Sequence, residues 1–71
     1  MLEKRSLSLS GHRTSIALEP AFWVALEEVA ARLGLSLPAL IQSVDDRRAP
    51  TEGLASALRV YALTEHLTEQ G

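Results

Sequence analysis

The sequence predicts a mainly α-helical fold with one short β-strand per chain, in an intertwined homodimer held by an intermolecular antiparallel β-ribbon. Three observations lead to this prediction. Residues 12–18 alternate polar and apolar side chains, as a half-buried strand does. Three later blocks repeat apolar residues at helical spacing. Finally, the chain has 71 residues, is 46% hydrophobic and lacks cysteine, so we expect a partner chain to help bury its apolar side chains.

The predicted strand carries Ile16 and Leu18 on one face together with Thr14. A weaker extended segment, residues 6–10, precedes it, and the alternation changes face beside Gly11, which indicates a bulge or a turn. A strand needs partners for its backbone N–H and C=O groups. Either the weaker segment folds back onto the strand, or the strand pairs with its copy in a second chain. We expect the copy, because a two-fold axis between identical strands gives an antiparallel ribbon.

Local signals mark the ends of the helices. Pro20 suits the first turn of a helix, where its missing N–H is not needed, and Gly34 suits the left-handed residue that ends it. Ser36 is a good N-cap for a second helix, which we expect to stop by about Arg48. A third helix is predicted over residues 54–67 from its helical spacing of apolar side chains.

These elements divide the chain into three parts. Residues 1–11 are predicted to form an N-terminal extended arm, residues 12–48 the core, and residues 49–71 the C-terminal helix. We expect the apolar face of the core to be buried against the second chain. The predicted dimer interface comprises Thr14, Ile16, Leu18, Phe22, Trp23, Leu26, Leu40, Ile41 and Val44.

Charge is distributed unevenly along the chain, although the net charge is only −2. Residues 1–18 contain three basic side chains and one acidic side chain, whereas residues 19–71 contain four basic and eight acidic ones. A two-fold dimer would bring two basic ends to one face, where they would attract a polyanion. The alternative is a solvated tail that contacts nothing.

The sequence lacks the motifs of other chemistries. No Gly-x-Ser-x-Gly pattern or Gly-rich phosphate loop occurs, so we predict neither a catalytic site nor an enzyme. With no cysteine and with its two histidines in distant blocks, the sequence predicts no metal site and no cofactor. No stretch reaches the roughly 18 consecutive apolar residues of a membrane span, and we expect a cytoplasmic protein.

A two-stranded ribbon with polar side chains on its outer face fits the major groove of double-stranded DNA. In the predicted ribbon, the outward residues of each strand are Arg13, Ser15 and Ala17. Arginine can read guanine with two hydrogen bonds, and serine can bond to the edges of several bases. The second helix begins near residues 35–37, where free N–H groups and the helix dipole suit a phosphate.

These features resemble the ribbon-helix-helix superfamily of DNA-binding proteins, which includes Arc and MetJ. The resemblance covers roughly residues 12–46, and the added C-terminal helix is similar to that of a less studied branch. It implies an intertwined homodimer, often a transcriptional repressor, with strand residues in the major groove. The residues that carry it are the strand His12-Arg13-Thr14-Ser15-Ile16-Ala17-Leu18, Pro20, the helix from Phe22 to Leu33, Gly34-Leu35-Ser36 and Leu40-Ile41.

The resemblance also implies roles for individual residues. The base-facing side chains would be Arg13, Ser15 and Ala17, of which Ala17 can offer only a methyl contact to thymine. The phosphate contacts would come from the backbone at Leu35, Ser36 and Leu37, with Lys4, Arg5 and His12 as additional contacts.

Two alternatives stay open at this point. In the first, the ribbon only holds the dimer together, and the helix at residues 54–67 binds another protein. The acidic body, the extra amphipathic helix and Ala17 favour this alternative. In the second, the chain is the antitoxin of a toxin–antitoxin pair, as many ribbon-helix-helix proteins are.

Overall fold

The computed structural model describes the backbone of residues 1–70 and the side chains of residues 1–65. Two strands are followed by three helices. In chain order these are β1 (Glu3–Leu9), β2 (His12–Leu18), α1 (Pro20–Leu33), α2 (Leu37–Arg47) and α3 (Leu54–Gln70).

The two strands form an antiparallel hairpin within the chain, with a register that runs from Glu3 opposite Leu18 to Leu9 opposite His12. The prediction of one strand per chain is therefore wrong, and the fold-back alternative is correct. Most of the predicted N-terminal arm belongs to β1. The physical reason is the turn, because a two-residue connection lets neighbouring segments satisfy each other's backbone groups without a second chain.

Ser10 and Gly11 form this turn, and both have positive φ angles, 51° and 80°. Positive φ at both central residues is the signature of a type I′ turn, whose twist matches that of the strands. The change of face beside Gly11 is thereby confirmed as a turn. The backbone N–H of Ser10 also donates a 2.7 Å hydrogen bond to Oε1 of Gln42, which fastens the turn to α2.

Substitution of Ser10 by asparagine is expected to stabilise the protein, because asparagine tolerates a positive φ better than serine and is favoured in type I′ turns. A gain of about 0.5 kcal/mol would raise Tm by about 2–4 °C. Thermal unfolding followed by circular dichroism measures the change. Gly11→Ala is the opposite control, expected to cost about 1 kcal/mol through strain. A Ser10→Asn variant that melts below the wild type would contradict the prediction.

The ends of α1 and α2 agree with their local signals. Helix α1 begins at Pro20 and ends before Gly34, which adopts the left-handed conformation with φ 71°. Helix α2 is capped by Ser36, whose Oγ accepts a 3.2 Å hydrogen bond from the backbone N–H of Ala39. It ends at Arg47, as expected. Both predicted boundaries are confirmed because each depends on residues next to the helix end.

The helices pack on one face of the hairpin and enclose a single apolar core. Strand β1 contributes Leu9, and α3 contributes Leu58 together with two alanines, so the hairpin and the last helix close the core from both sides. Among the side chains of residues 1–65, the buried ones are Leu9, Ile16, Leu18, Trp23, Leu26, Val29, Ala30, Leu40, Ile41, Val44, Ala57, Leu58 and Ala62.

This core contains most of the predicted dimer-interface residues. Of the predicted interface residues, Ile16, Leu18, Trp23, Leu26, Leu40, Ile41 and Val44 are buried inside the single chain, and only Thr14 and Phe22 are half-buried. The prediction leaves β1 and α3 outside the core, whereas in the structure both elements contribute residues to it. A partner is therefore not needed to bury these side chains.

Two ion pairs fasten α3 to the region around α1. Arg59 Nε donates to Glu19 Oε1 at 3.0 Å, and Arg32 Nη2 lies 3.3 Å from Glu65 Oε2. A hydrogen bond from its own backbone N–H, followed by the one from Arg59, lowers the pKa of the Glu19 carboxyl. Within residues 1–70, none of the helices combines the length and the apolar composition that a membrane-spanning helix needs.

Candidate functional site

The candidate site is the outer face of the hairpin, which points away from the helices. Strand β2 places Arg13 and Ser15 there, both exposed, with Ala17 half-buried beside them. The alternation of the antiparallel strands brings side chains of β1 to the same face. We call this surface the outer face; it consists of Lys4, Ser6, Ser8, Arg13, Ser15 and Ala17.

Ser6 and Ser8 are members of the outer face that the sequence reasoning missed. They alternate with Leu7 and Leu9, and this period-two pattern is a signal that could have identified them. The predicted extended arm covers this segment, and it distinguishes no outward and inward face there. In the structure, Leu9 is buried and both serines are exposed.

Polar side chains on the outer face contact each other across the strands. Ser6 Oγ lies 3.3 Å from Ser15 Oγ, and Arg13 Nη1 lies 3.5 Å from Ser8 Oγ. The hydroxyls can donate and accept, whereas the guanidinium only donates. Lys4 stands at the far end of the face, opposite Ala17 in the register. The surface is therefore a row of hydrogen-bonding groups with cations at opposite ends, and no carboxylate belongs to it.

The backbone of β2 leaves one edge of the sheet open. In a two-residue hairpin the residues beside the turn exchange backbone hydrogen bonds, and such pairs alternate with non-hydrogen-bonded ones along the ladder. By this alternation Arg13, Ser15 and Ala17 fall in the non-hydrogen-bonded pairs. Their N–H and C=O groups consequently point away from β1. We call this backbone row the open edge of β2.

The structure places Arg5 away from the outer face. Its Nε lies 2.6 Å from Glu3 Oε2, its Nη1 lies 3.0 Å from Glu27 Oε1, and its guanidinium lies 4.7 Å from the centre of the Trp23 ring. The hydrogen bond to Glu3, together with the one to Glu27, raises the pKa of Arg5. With its charge balanced by two carboxylates, Arg5 does not fit the predicted role of a phosphate contact.

The N-terminus of α2 offers fewer donors than predicted. The N–H of Leu35 donates to the carbonyl of Ala30 at 2.9 Å, in the hydrogen-bonded cap that ends α1. The N–H of Ala39 is taken by the Oγ of Ser36. Among the described residues, Ser36 and Leu37 are left to supply backbone donors at this helix start. Gly34 is the signal that could have excluded Leu35 as a phosphate contact, because the N–H that follows a left-handed glycine cap bonds back to the preceding helix.

Grooves elsewhere on the surface are less polar. One of about 270 Å³ lies between α2 and α3 and is lined by Val44, Val60 and Tyr61 among others. Arg47 also lines it, with its guanidinium 5.8 Å from the centre of the Tyr61 ring. Burial raises the pKa of the Tyr61 hydroxyl. The described residues contain no cluster of three His, Cys, Asp or Glu side chains suited to a metal ion.

Comparisons with known proteins agree with this architecture. The ribbon-helix-helix domain family matches residues 2–66. Among solved structures, the chain resembles an uncharacterized protein from Bordetella pertussis Tohama I, with 34% sequence identity and a TM-score of 0.80. That match covers 99% of this chain and 59% of the other, so the chain spans less than two thirds of the relative's length. No curated protein matches the chain.

Proteins with this domain generally bind DNA as transcriptional regulators or antitoxins, and they typically form dimers. The match includes the hairpin, both following helices and most of α3. The chain therefore belongs to the ribbon-helix-helix domain family.

Proposed function

We propose that the chain is a cytoplasmic homodimer that binds double-stranded DNA sequence-specifically and represses transcription. One observation carries the proposal. Arg13, Ser15 and Ala17 present their side chains on the outer face, and the same residues present their backbone groups on the open edge of β2. A second copy that pairs with this edge would double the polar face in a single step.

The geometry of the proposed dimer follows from the ladder. A two-fold axis pairs identical strands antiparallel, so the N–H and C=O of Ser15 would bond to those of the partner's Ser15. The resulting sheet has four strands, with the two copies of β2 in the centre and β1 on each side. Because each core is closed by its own chain, we propose protomers that meet edge to edge rather than intertwine.

The central strands would read the DNA bases. Two strands fit within the major groove, which is about 12 Å wide. Arg13 would donate two hydrogen bonds to a guanine, Ser15 would bond to a base edge near the two-fold axis, and Ala17 would contact a thymine methyl group. The backbone N–H groups of Ser36 and Leu37 would bind phosphates at the start of α2.

Charge supports the orientation of the protein on DNA. Residues 1–18 carry the excess of basic side chains, and the remainder of the chain is acidic. Phosphates therefore attract the hairpin and repel the helical body, which favours contact through the outer face. A dimer bound in this way covers its site, and we propose that repression results from this coverage.

The Arg13→Ala substitution tests whether Arg13 recognises a specific base. A duplex is first selected by the wild-type protein from a random pool, and affinity is then measured by fluorescence anisotropy for this duplex and a scrambled one. Loss of a bidentate guanine contact costs about 1–3 kcal/mol, so we expect binding of the selected duplex to weaken by about 5- to 150-fold for each of the two contacts that the dimer loses. The scrambled duplex should lose less, because it offers no matched guanine.

Arg32→Ala is the matched control, since Arg32 is an exposed arginine on α1, far along the chain from the hairpin. It should bind both duplexes as the wild type does. The proposal fails if the wild type prefers no duplex over another, or if Arg13→Ala leaves this preference unchanged.

A further inference from the structure

We infer that β1 binds the DNA backbone, with Lys4, Ser6 and Ser8 contacting the phosphates that border the major groove. This inference rests on the proposed function and adds a ligand-binding role to a strand that the minimal ribbon of one strand per chain lacks. It follows from the width of the sheet, from the donors that β1 presents and from the position of its acidic neighbour.

The width of the proposed sheet decides where β1 lies. Neighbouring strands are about 4.8 Å apart, so the two central strands occupy only part of a groove that is about 12 Å wide. The outer strands of a four-stranded sheet are about 14 Å apart, which exceeds the width of the groove. The two copies of β1 would therefore lie over the rims of the groove, and the rims consist of phosphates.

Strand β1 presents donors suited to this position. The side chains of Lys4, Ser6 and Ser8 are exposed on the outer face, opposite Ala17, Ser15 and Arg13. By the alternation of the ladder, the backbone N–H groups of the same β1 residues point toward the outer edge of the sheet. Each of these residues thus offers a side-chain donor and a backbone donor on the side where phosphates would lie.

The acidic residue of β1 does not oppose this contact. Glu3 is the only carboxylate in the strand, and its charge is paired with Arg5 at 2.6 Å. Arg5 is in turn held against Trp23 on the other side of the sheet. Lys4 forms no ion pair with another described residue, so its ammonium group is available to a phosphate oxygen.

The experiment compares Lys4→Ala and the double variant Ser6→Ala/Ser8→Ala with the wild type on the selected and the scrambled duplex. Affinities are measured over a range of salt concentrations. Phosphate contacts carry no sequence information, so each variant should weaken binding to both duplexes by the same factor, about tenfold. Lys4→Ala should also reduce the slope of log affinity against log salt by about 0.9 for each phosphate released, or about 1.8 per dimer.

Two control variants are matched to these changes. Ser56→Ala removes an exposed hydroxyl from α3, and Arg32→Ala removes an exposed cation from α1. Both should keep the wild-type affinity and salt slope. Because Ser6 contacts Ser15 and Ser8 contacts Arg13, circular dichroism and Tm are measured for the double variant, and Lys4→Ala provides a test that does not depend on these contacts.

The outcomes separate the inference from the proposed function. If the wild type binds no duplex, both fail together. If the wild type binds and Arg13→Ala loses sequence preference, but the β1 variants keep the wild-type affinity and salt slope, the proposed function stands and the inference is overturned. The inference is also overturned if Lys4→Ala changes the preference between duplexes, because Lys4 would then read bases.

Discussion

Replacement of Trp23 by alanine is expected to lower the free energy of unfolding by about 3–5 kcal/mol, the cost of removing a large buried aromatic side chain. Trp23 is 0% exposed. Its indole Nε1 donates a 2.8 Å hydrogen bond to the carbonyl of Glu3, and Arg5 lies over its ring. The substitution would thus open a cavity and also release the start of β1. Urea unfolding followed by far-UV circular dichroism measures the loss without needing the tryptophan.

Two variants show which part of the loss comes from packing. Trp23→Phe keeps most of the apolar volume but loses the bond to Glu3, and should cost clearly less than Trp23→Ala. Val24→Ala alters the neighbouring residue, which is 54% exposed, and should change stability by less than about 0.5 kcal/mol. A Trp23→Ala variant as stable as Val24→Ala would show that α1 does not pack against the hairpin as described.

Ser15→Pro is expected to weaken the dimer strongly and leave the protomer folded. The N–H of Ser15 lies on the open edge of β2, where proline is tolerated because no bond of the hairpin is lost. In the proposed dimer, each chain loses one hydrogen bond and leaves one facing carbonyl unpaired. The combined cost of about 2–4 kcal/mol weakens dimerisation by about 30- to 700-fold. Sedimentation at several concentrations measures the dimer, and circular dichroism verifies the fold.

The neighbouring position supplies the control. The N–H of Thr14 points toward β1, so Thr14→Pro should break the hairpin and destabilise the protomer. Ser15→Ala keeps the N–H and should dimerise as the wild type does. If Ser15→Pro dimerises normally, the two chains associate through another surface, and the edge-to-edge dimer is wrong.

The helix ends could be predicted because their causes are local. Pro20, Gly34 and Ser36 act within one turn of the chain, through a missing N–H, a left-handed conformation and a side-chain cap. Strand pairing cannot be predicted in this way, because it depends on a second segment that the local sequence does not specify. The alternation in residues 12–18 shows that a strand exists, but its unpaired backbone groups can be satisfied by a neighbouring segment or by another chain equally well.

The same ambiguity applies to the predicted dimer interface. The apolar pattern identifies Leu26 and Ile41 as residues that must leave water, and both are fully buried. It does not say which surface covers them, since burial by α3 and burial by a second chain stabilise an apolar side chain through the same removal from water. Sequence spacing therefore identifies many of the buried residues but not the surface that covers them.

The sequence predicts which side chains of β2 lie on the outer face, but its prediction for β1 is incomplete. Period two fixed the outward direction of Arg13 and Ser15 as soon as β2 was recognised. The same rule applied to β1 would have separated Lys4, which faces outward, from Arg5, which pairs with Glu3. These two adjacent basic residues have different surroundings because successive side chains of a strand point to opposite faces.

The core that each chain closes by itself has a consequence for how the proposed regulator would respond to its own abundance. Folding and dimerisation would be separate equilibria, because a protomer that buries its own core can fold without a second copy. At low concentration the protein would be a folded monomer, which lacks the dimeric surface that binds DNA. Occupancy of a target would then rise with the square of the protein concentration, which gives a steeper threshold than a preassembled regulator would show.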